Sequence, residues 1–104
     1  MNREGALQLI KENISEPRLF QHVRAVESIM RALAEALQED GHLWGLCGLL
    51  HDVDFERVKD NPEKHGIVAE GILHGKADER IVRAIRAHNF EHTGTMPESA
   101  MEKC

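Results

Sequence analysis

The sequence predicts an all-α fold, a single-domain bundle of about five helices. Apolar residues recur at spacings of three and four through most of the chain, the period of one helical face. No segment sustains the apolar–polar alternation of a half-buried strand, tyrosine is absent, and β-branched residues are thinly spread. Residues that start and stop helices punctuate the periodic segments. At 104 residues the chain has a common domain size, so residues 1–104 are expected to form one unit.

The first element is a short helix over about Glu4–Asn13, with Leu7, Ile10 and Ile14 on one face. Ser15 is the expected N-cap of a second, long helix, with Glu16 and Pro17 tolerated in its first turn. That helix is predicted to run to about Glu39 and to bury a stripe of Leu19, Val23, Val26, Met30, Leu33 and Leu37. Asp40-Gly41 stops it, with Gly41 as the left-handed cap. The third helix, about His42–His51, is apolar on most sides and belongs in the middle of the bundle.

The polar stretch from Asp54 to Asp60 reads as a loop or a short helical turn. Asn61-Pro62-Glu63 then signals a fourth helix, with Asn as cap, Pro in the first helical position and Glu in the first turn. It carries Ile67, Val68, Ile72 and Leu73 and ends near Gly75. Asp78 caps the fifth helix, in which Ile81, Ile85 and His88 share a face, with Ala84 beside them. Thr93–Pro97 is a loop, and Glu98–Lys103 reads as the opening of another helix that is cut short.

The formal net charge of −5 argues against the concentrated basic surface that non-specific nucleic-acid binding needs. It is compatible with a small anionic substrate, because bound metal ions reverse the local potential. There is no long apolar run without charges, so no membrane span is expected. The N-terminus does not read as a signal peptide, and the expected location is cytoplasmic. Cys47 and Cys104 make no disulfide framework. Cys47 is expected to pack as a small hydrophobe and Cys104 to be exposed.

The chemistry concentrates at His51-Asp52, which ends the apolar run Leu43–Leu50. A carboxylate buried without a partner costs several kcal/mol, so it needs a cation, hydrogen bonds or both. His22 sits on or beside the stripe of the second helix, four and seven residues before Val26 and Ile29. His65 falls one turn into the fourth helix, on the side of Val68, Ala69 and Ile72, and His88 ends the apolar face of the fifth. Each of His22, His65 and His88 alone reads more readily as a structural core-edge residue than as a ligand, and His51-Asp52 reads equally as an ordinary helix end. Together they place four histidines and a carboxylate at the ends or edges of buried faces, the way helical bundles build metal sites. Imidazole with carboxylate suits divalent iron, manganese, zinc, nickel or cobalt, and no thiolate is placed to favour a structural zinc site. His42 and His74 fall at helix boundaries and read as solvated. His92, four residues after His88, faces the same cleft if the helix continues, which makes it a candidate for substrate or metal.

These residues resemble the HD superfamily of metal-dependent phosphohydrolases. The matching elements are His22 with Val26, Gly48-Leu49-Leu50-His51-Asp52-Val53-Asp54, Pro62-Glu63-Lys64-His65-Gly66-Ile67-Val68-Ala69, and Ile85-Arg86-Ala87-His88-Asn89. They lie in the family's order and cover most of the chain. The branch with extra histidines after the doublet implies a dinuclear site. His22, His51 and Asp52 would hold one ion, and Asp52 would bridge to a second held by His65 and His88. The family's closing Asp, on a helix after the Gly94–Pro97 loop, has no counterpart, since no Asp follows Asp78. The expectation is a chain truncated before it, or a site completed by Glu102, Glu98, water or another chain, with a homodimer contact as one way to cover the apolar surface.

The resemblance implies a phosphohydrolase whose substrate is a small phosphate ester such as a nucleotide. A water made nucleophilic by one or two metal ions attacks phosphorus. Asp52, Asp54 and His92 are the candidate catalytic residues, Asp52 as a bridging ligand and Asp54 as the partner that orients a metal-bound histidine. Lys59, Lys64, Arg86 and Asn89 are further outer-shell candidates, with Lys59 and Lys64 read as solvated surface charges. A non-catalytic regulatory module that binds metal or nucleotide is the second reading, and a di-iron oxygenase the third.

Overall fold

The computed structural model describes residues 1–104. Its elements are α1 (Arg3–Asn13), α2 (Pro17–Ala36), α3 (Gly41–Leu50), a one-turn α4 (Phe55–Val58), a 3-10 turn (Pro62–Lys64), α5 (Ile67–Leu73), α6 (Glu79–His88), and the single turns α7 (Phe90–Thr93) and α8 (Ala100–Lys103). The fold is all-α, with α1, α2, α3, α5 and α6 as its longer helices. No helix is long and apolar enough to cross a membrane.

α3 lies at the centre, as its composition requires: every residue from Trp44 to Leu50 is buried. α2 packs along it, and α1 and α6 close other sides. Leu49, Leu50 and Val53 meet Ile10 of α1, Val23 of α2, Leu73 of α5 and Ile81 and Ile85 of α6 in one cluster. The contact of α2 with α3 depends on Gly48, where a Cβ would stand 2.9 Å from the Val26 carbonyl oxygen. Only a hydrogen at that position lets the two backbones approach this closely.

Four local expectations are corrected by the structure. Ser15 is not the cap of α2: Glu16 holds the N-cap position with no side-chain bond. The Ser15 N–H, the Ser15 hydroxyl and the Glu16 N–H donate instead to the Glu56 carboxylate at 2.8, 2.9 and 3.0 Å. A carboxylate from α4 thus satisfies the helix start and complements its positive end. These bonds hold the Glu56 carboxyl below its usual range.

The end of α2 differs as well. The helix stops at Ala36, and Gln38, at φ 58°, is the left-handed residue. Its N–H bonds to the Glu35 carbonyl at 3.2 Å and that of Glu39 to the Ala34 carbonyl at 2.7 Å, the Schellman pattern. Gly41 opens α3, because Asp40 caps that helix by accepting from His42 N and Leu43 N at 3.0 and 3.1 Å. The chain must therefore reverse before Asp40.

The buried face of α2 is Val23, Glu27, Met30 and Ala34, while Leu33 and Leu37 are 39% and 52% exposed. Glu27 is tolerated inside because Arg3 of α1 donates to both of its oxygens, at 2.8 and 3.1 Å. That hydrogen bond outweighs burial and holds the Glu27 carboxyl below its usual range. Finally, the fourth helix does not start at Pro62. A 3-10 turn precedes an extended His65 and Gly66 at φ +91°, and α5 begins at Ile67. The buried Asp54 carboxylate accepts from Gly66 N and Ala69 N, both at 2.9 Å, which sets that start. Asp78 caps α6 as the sequence predicts, accepting from Arg80 N.

Candidate metal centre

Side chains from four parts of the chain converge on one corner of the bundle. His22 projects from the first half of α2, and His51 is the C-cap of α3 with Asp52 next in the chain. His65 stands in the break before α5, and His88 ends α6. The Asp52 carboxylate lies at their centre and is 9% exposed. Its Oδ2 is 3.2 Å from His22 Nε2 and 3.1 Å from His51 Nε2, and its Oδ1 is 3.6 Å from His65 Nε2. The His88 ring is edge-on to those of His51 and His65, with centroids 5.6 and 5.7 Å apart. One ligand atom each from His22, His51 and Asp52 lies within 4.8 Å of the others.

Hydrogen bonds on the far side of two rings assign their tautomers. His51 Nδ1 is 2.6 Å from the Gly48 carbonyl, which only accepts, so Nδ1 carries the proton. His65 Nδ1 likewise donates to Asp54 Oδ1 at 2.7 Å. In the neutral rings both Nε2 lone pairs therefore point at the Asp52 carboxylate. Lone pairs facing a carboxylate at 3.1 and 3.6 Å repel unless a cation lies among them. A divalent cation meets that requirement, and imidazole with carboxylate is a fitting donor set for one. A proton on Nε2 also meets it, the imidazolium then donating to the carboxylate. Burial opposes the charged form of His51, but the hydrogen bond and charge of Asp52 prevail and hold its pKa above the ordinary value. The bond to Asp54 raises that of His65. For Asp52, burial works against ionisation, yet His51 and the neighbouring imidazoles keep it below the usual carboxylate range. His88 is pushed down by burial and by the charges of His51 and His65.

Asp54 is fully buried and makes no direct approach to the centre; it fixes His65 and the start of α5 together. Asn89 supports the same residue from the other side, donating to the His65 carbonyl at 2.9 Å and the Pro62 carbonyl at 3.3 Å. His92 is not brought to the cluster. α6 ends at His88, and His92 lies exposed on α7, donating from Nδ1 to Asn89 Oδ1 at 3.1 Å. Arg86 is engaged by Glu70 at 2.9 Å and the Thr93 carbonyl at 3.3 Å. Glu98 and Glu102, the acidic residues near the end of the chain, are both paired with Arg83. Glu102 also accepts from Glu98 N and Ser99 N at 2.8 and 3.1 Å, within the capping box of α8.

A cleft of about 470 Å³ opens beside the centre, and Asp52, His65, His88, Phe55, Lys59 and Asn89 are among the residues that line it. That volume suits a small organic ligand. Lys59, read from the sequence as a solvated surface charge, is exposed and lies on the lining of this cleft.

Comparison with known families finds one match: the family model described as HD domain aligns with residues 19–104, a span that contains every histidine and aspartate of the cluster. No curated protein and no solved structure matches the chain.

Proposed function

The chain belongs to the HD-domain family, and from that premise we propose that it is a metal-dependent phosphohydrolase acting on a small phosphate ester such as a nucleotide. One observation supports this reading above the others. The buried Asp52 carboxylate faces imidazole nitrogens whose far-side hydrogen bonds leave their lone pairs directed inward. His22, His51 and Asp52 would hold one divalent ion, and Asp52, His65 and His88 a second.

A divalent ion bound there supplies Lewis-acid polarisation of a phosphoryl oxygen and brings the pKa of a water near neutrality. The protein's own contribution is geometric. Gly48 and Asp54 lock the rings of His51 and His65, so the donor atoms are set before binding and little reorganisation is needed. Asn89 and Asp54 hold the His65 backbone from two sides, which resists displacement of that ligand. The cleft then offers one open approach to the centre, along which a phosphate ester can enter.

The test is metal content of the purified protein and of Asp52→Ala after reconstitution with manganese, iron, nickel, cobalt or zinc, followed by phosphate release from a panel of esters. One or two ions per chain, lost in the variant, with metal-dependent phosphate release, is the expected result. Absence of metal from the parent overturns the reading. Stoichiometric metal without turnover on any ester favours a binding module, and oxygen consumption by the iron form favours the oxygenase.

A further inference from the structure

The turn that follows the His51-Asp52 doublet divides its side chains cleanly. Glu56 is committed to the start of α2, and Arg57 donates to Asn13 Oδ1 at 2.8 Å. Val58, 4% exposed, anchors the turn in the interior. Phe55 and Lys59 have no such use. Phe55 remains 49% exposed although it is the largest apolar side chain of the turn. Lys59 is exposed and takes part in none of the chain's ion pairs. Residues four apart on a helical turn share a face, and here both line the same cleft as Asp52, His65 and His88.

We infer that Phe55 and Lys59 select the substrate, favouring phosphate esters whose leaving group carries a planar aromatic ring; this rests on the hydrolytic reading above. Phe55 is the platform on which the ring stacks, and Lys59 meets a phosphoryl oxygen of the same ester. An aromatic face exposed at the mouth of a cleft takes any planar ring, because stacking needs no matched donors and acceptors. The one side-chain amide on the cleft lining is already occupied. The Asn89 amide nitrogen is held by the His65 and Pro62 carbonyls and its oxygen by His92. The site therefore selects for planarity and not for the identity of the base. An ammonium on a flexible stem suits Lys59 to phosphate as a point charge, without the fixed geometry of a guanidinium.

The experiment is titration calorimetry of the metal-loaded full chain with two phosphonate analogues that resist hydrolysis, those of adenosine 5′-phosphate and ribose 5-phosphate. The adenosine analogue is expected to bind about tenfold more tightly, the scale of one stacked ring. Phe55→Ala should erase that ratio while the ribose analogue binds within about twofold of the parent, and Phe55→Trp should preserve it. Lys59→Gln should weaken both analogues by a similar factor and leave the ratio intact. A ratio near one in the parent, a ratio that survives Phe55→Ala, or failure of both analogues to bind overturns the inference. Because the readout is binding, loss of the hydrolytic reading alone leaves the ratio standing. An active phosphohydrolase with a ratio near one overturns this inference alone. Phe55 is half exposed, so its replacement leaves the core untouched, which an unchanged melting temperature verifies.

Discussion

Replacing Asp54 with asparagine separates positioning of a metal ligand from stability. Asp54 accepts three bonds, two backbone N–H groups on Oδ2 at 2.9 Å each and His65 Nδ1 on Oδ1 at 2.7 Å. Asparagine has the same shape but only one acceptor oxygen. The Gly66 and Ala69 N–H groups can keep that oxygen, and the new amide nitrogen then faces His65 Nδ1. Two donors cannot share a bond, so the His65 proton moves to Nε2, the atom that faces Asp52. The fold loses charge assistance in its bonds, about 1–2 kcal/mol, which corresponds to a fall in Tm of roughly 4–15 °C. Metal affinity falls further, by about 10- to 100-fold, as expected when the outer partner of a ligating histidine is lost. Cobalt titration by calorimetry gives the affinity, and nitrogen-15 spectra of the His65 ring give the tautomer. A variant that keeps the Nδ1–H form and binds cobalt as the parent does refutes the positioning role. Asp54→Ala serves as the contrast: it strands two buried N–H groups and costs about 2–6 kcal/mol.

Gly48→Ala should destabilise the chain by about 1–3 kcal/mol in urea and weaken cobalt binding, because the new methyl separates α2 with His22 from α3 with His51. Its control is Gly71→Ala in α5, where nothing lies within 4 Å of the new methyl and the higher helix propensity should stabilise by up to about 1 kcal/mol. Gln38→Gly removes the steric cost of a left-handed residue at φ 58° and should raise stability by about 0.5–1 kcal/mol, read from the same urea midpoints. Glu27 supplies a pH signature. Its folded pKa lies below the ordinary 4.5, so the unfolded chain takes up the proton first on acidification. The contribution of the Arg3–Glu27 pair is whole above that ordinary value and is lost as pH falls through the depressed folded one. Urea midpoints of the parent and Glu27→Gln should therefore differ most near neutrality and draw together as pH falls below the ordinary 4.5; a difference that does not shrink on acidification contradicts the assignment.

Clustering of the histidines at one corner illustrates how a small bundle concentrates chemistry. Helix ends are the natural places for polar side chains that must reach the interior, since the chain is already leaving the core there. His51 uses this directly at the close of α3, whose preceding turns are buried, while His88 ends α6 on the lining of the cleft. Asp54 goes further inward and is paired there by one imidazole and two backbone groups, which keeps a fully buried carboxylate satisfied.

The all-α class, the central place of α3, the Asp78 cap and the doublet at a helix end all follow from the sequence alone. Each depends on neighbours within about one or two turns: apolar period, capping residue, an apolar run meeting two polar groups. Other features depend on partners that local reading cannot see. Ser15 is the better cap by residue type, yet Glu56, 41 positions away, satisfies the start of α2. Leu33 reads as more buried than Glu27, but Arg3 on another helix pairs with Glu27 and turns that face inward. Asn61-Pro62 is a sound helix signal, overridden because Asp54 draws the N–H groups of Gly66 and Ala69 to itself and starts α5 later. Approach of His22, His51, His65 and His88 to Asp52 is likewise a property of how four elements pack, and so is the place of Lys59 on the cleft wall. Short-range preferences are worth about 1 kcal/mol each, and one buried charge in need of a partner exceeds them, so Glu27 decided the buried face of α2 and Asp54 the start of α5.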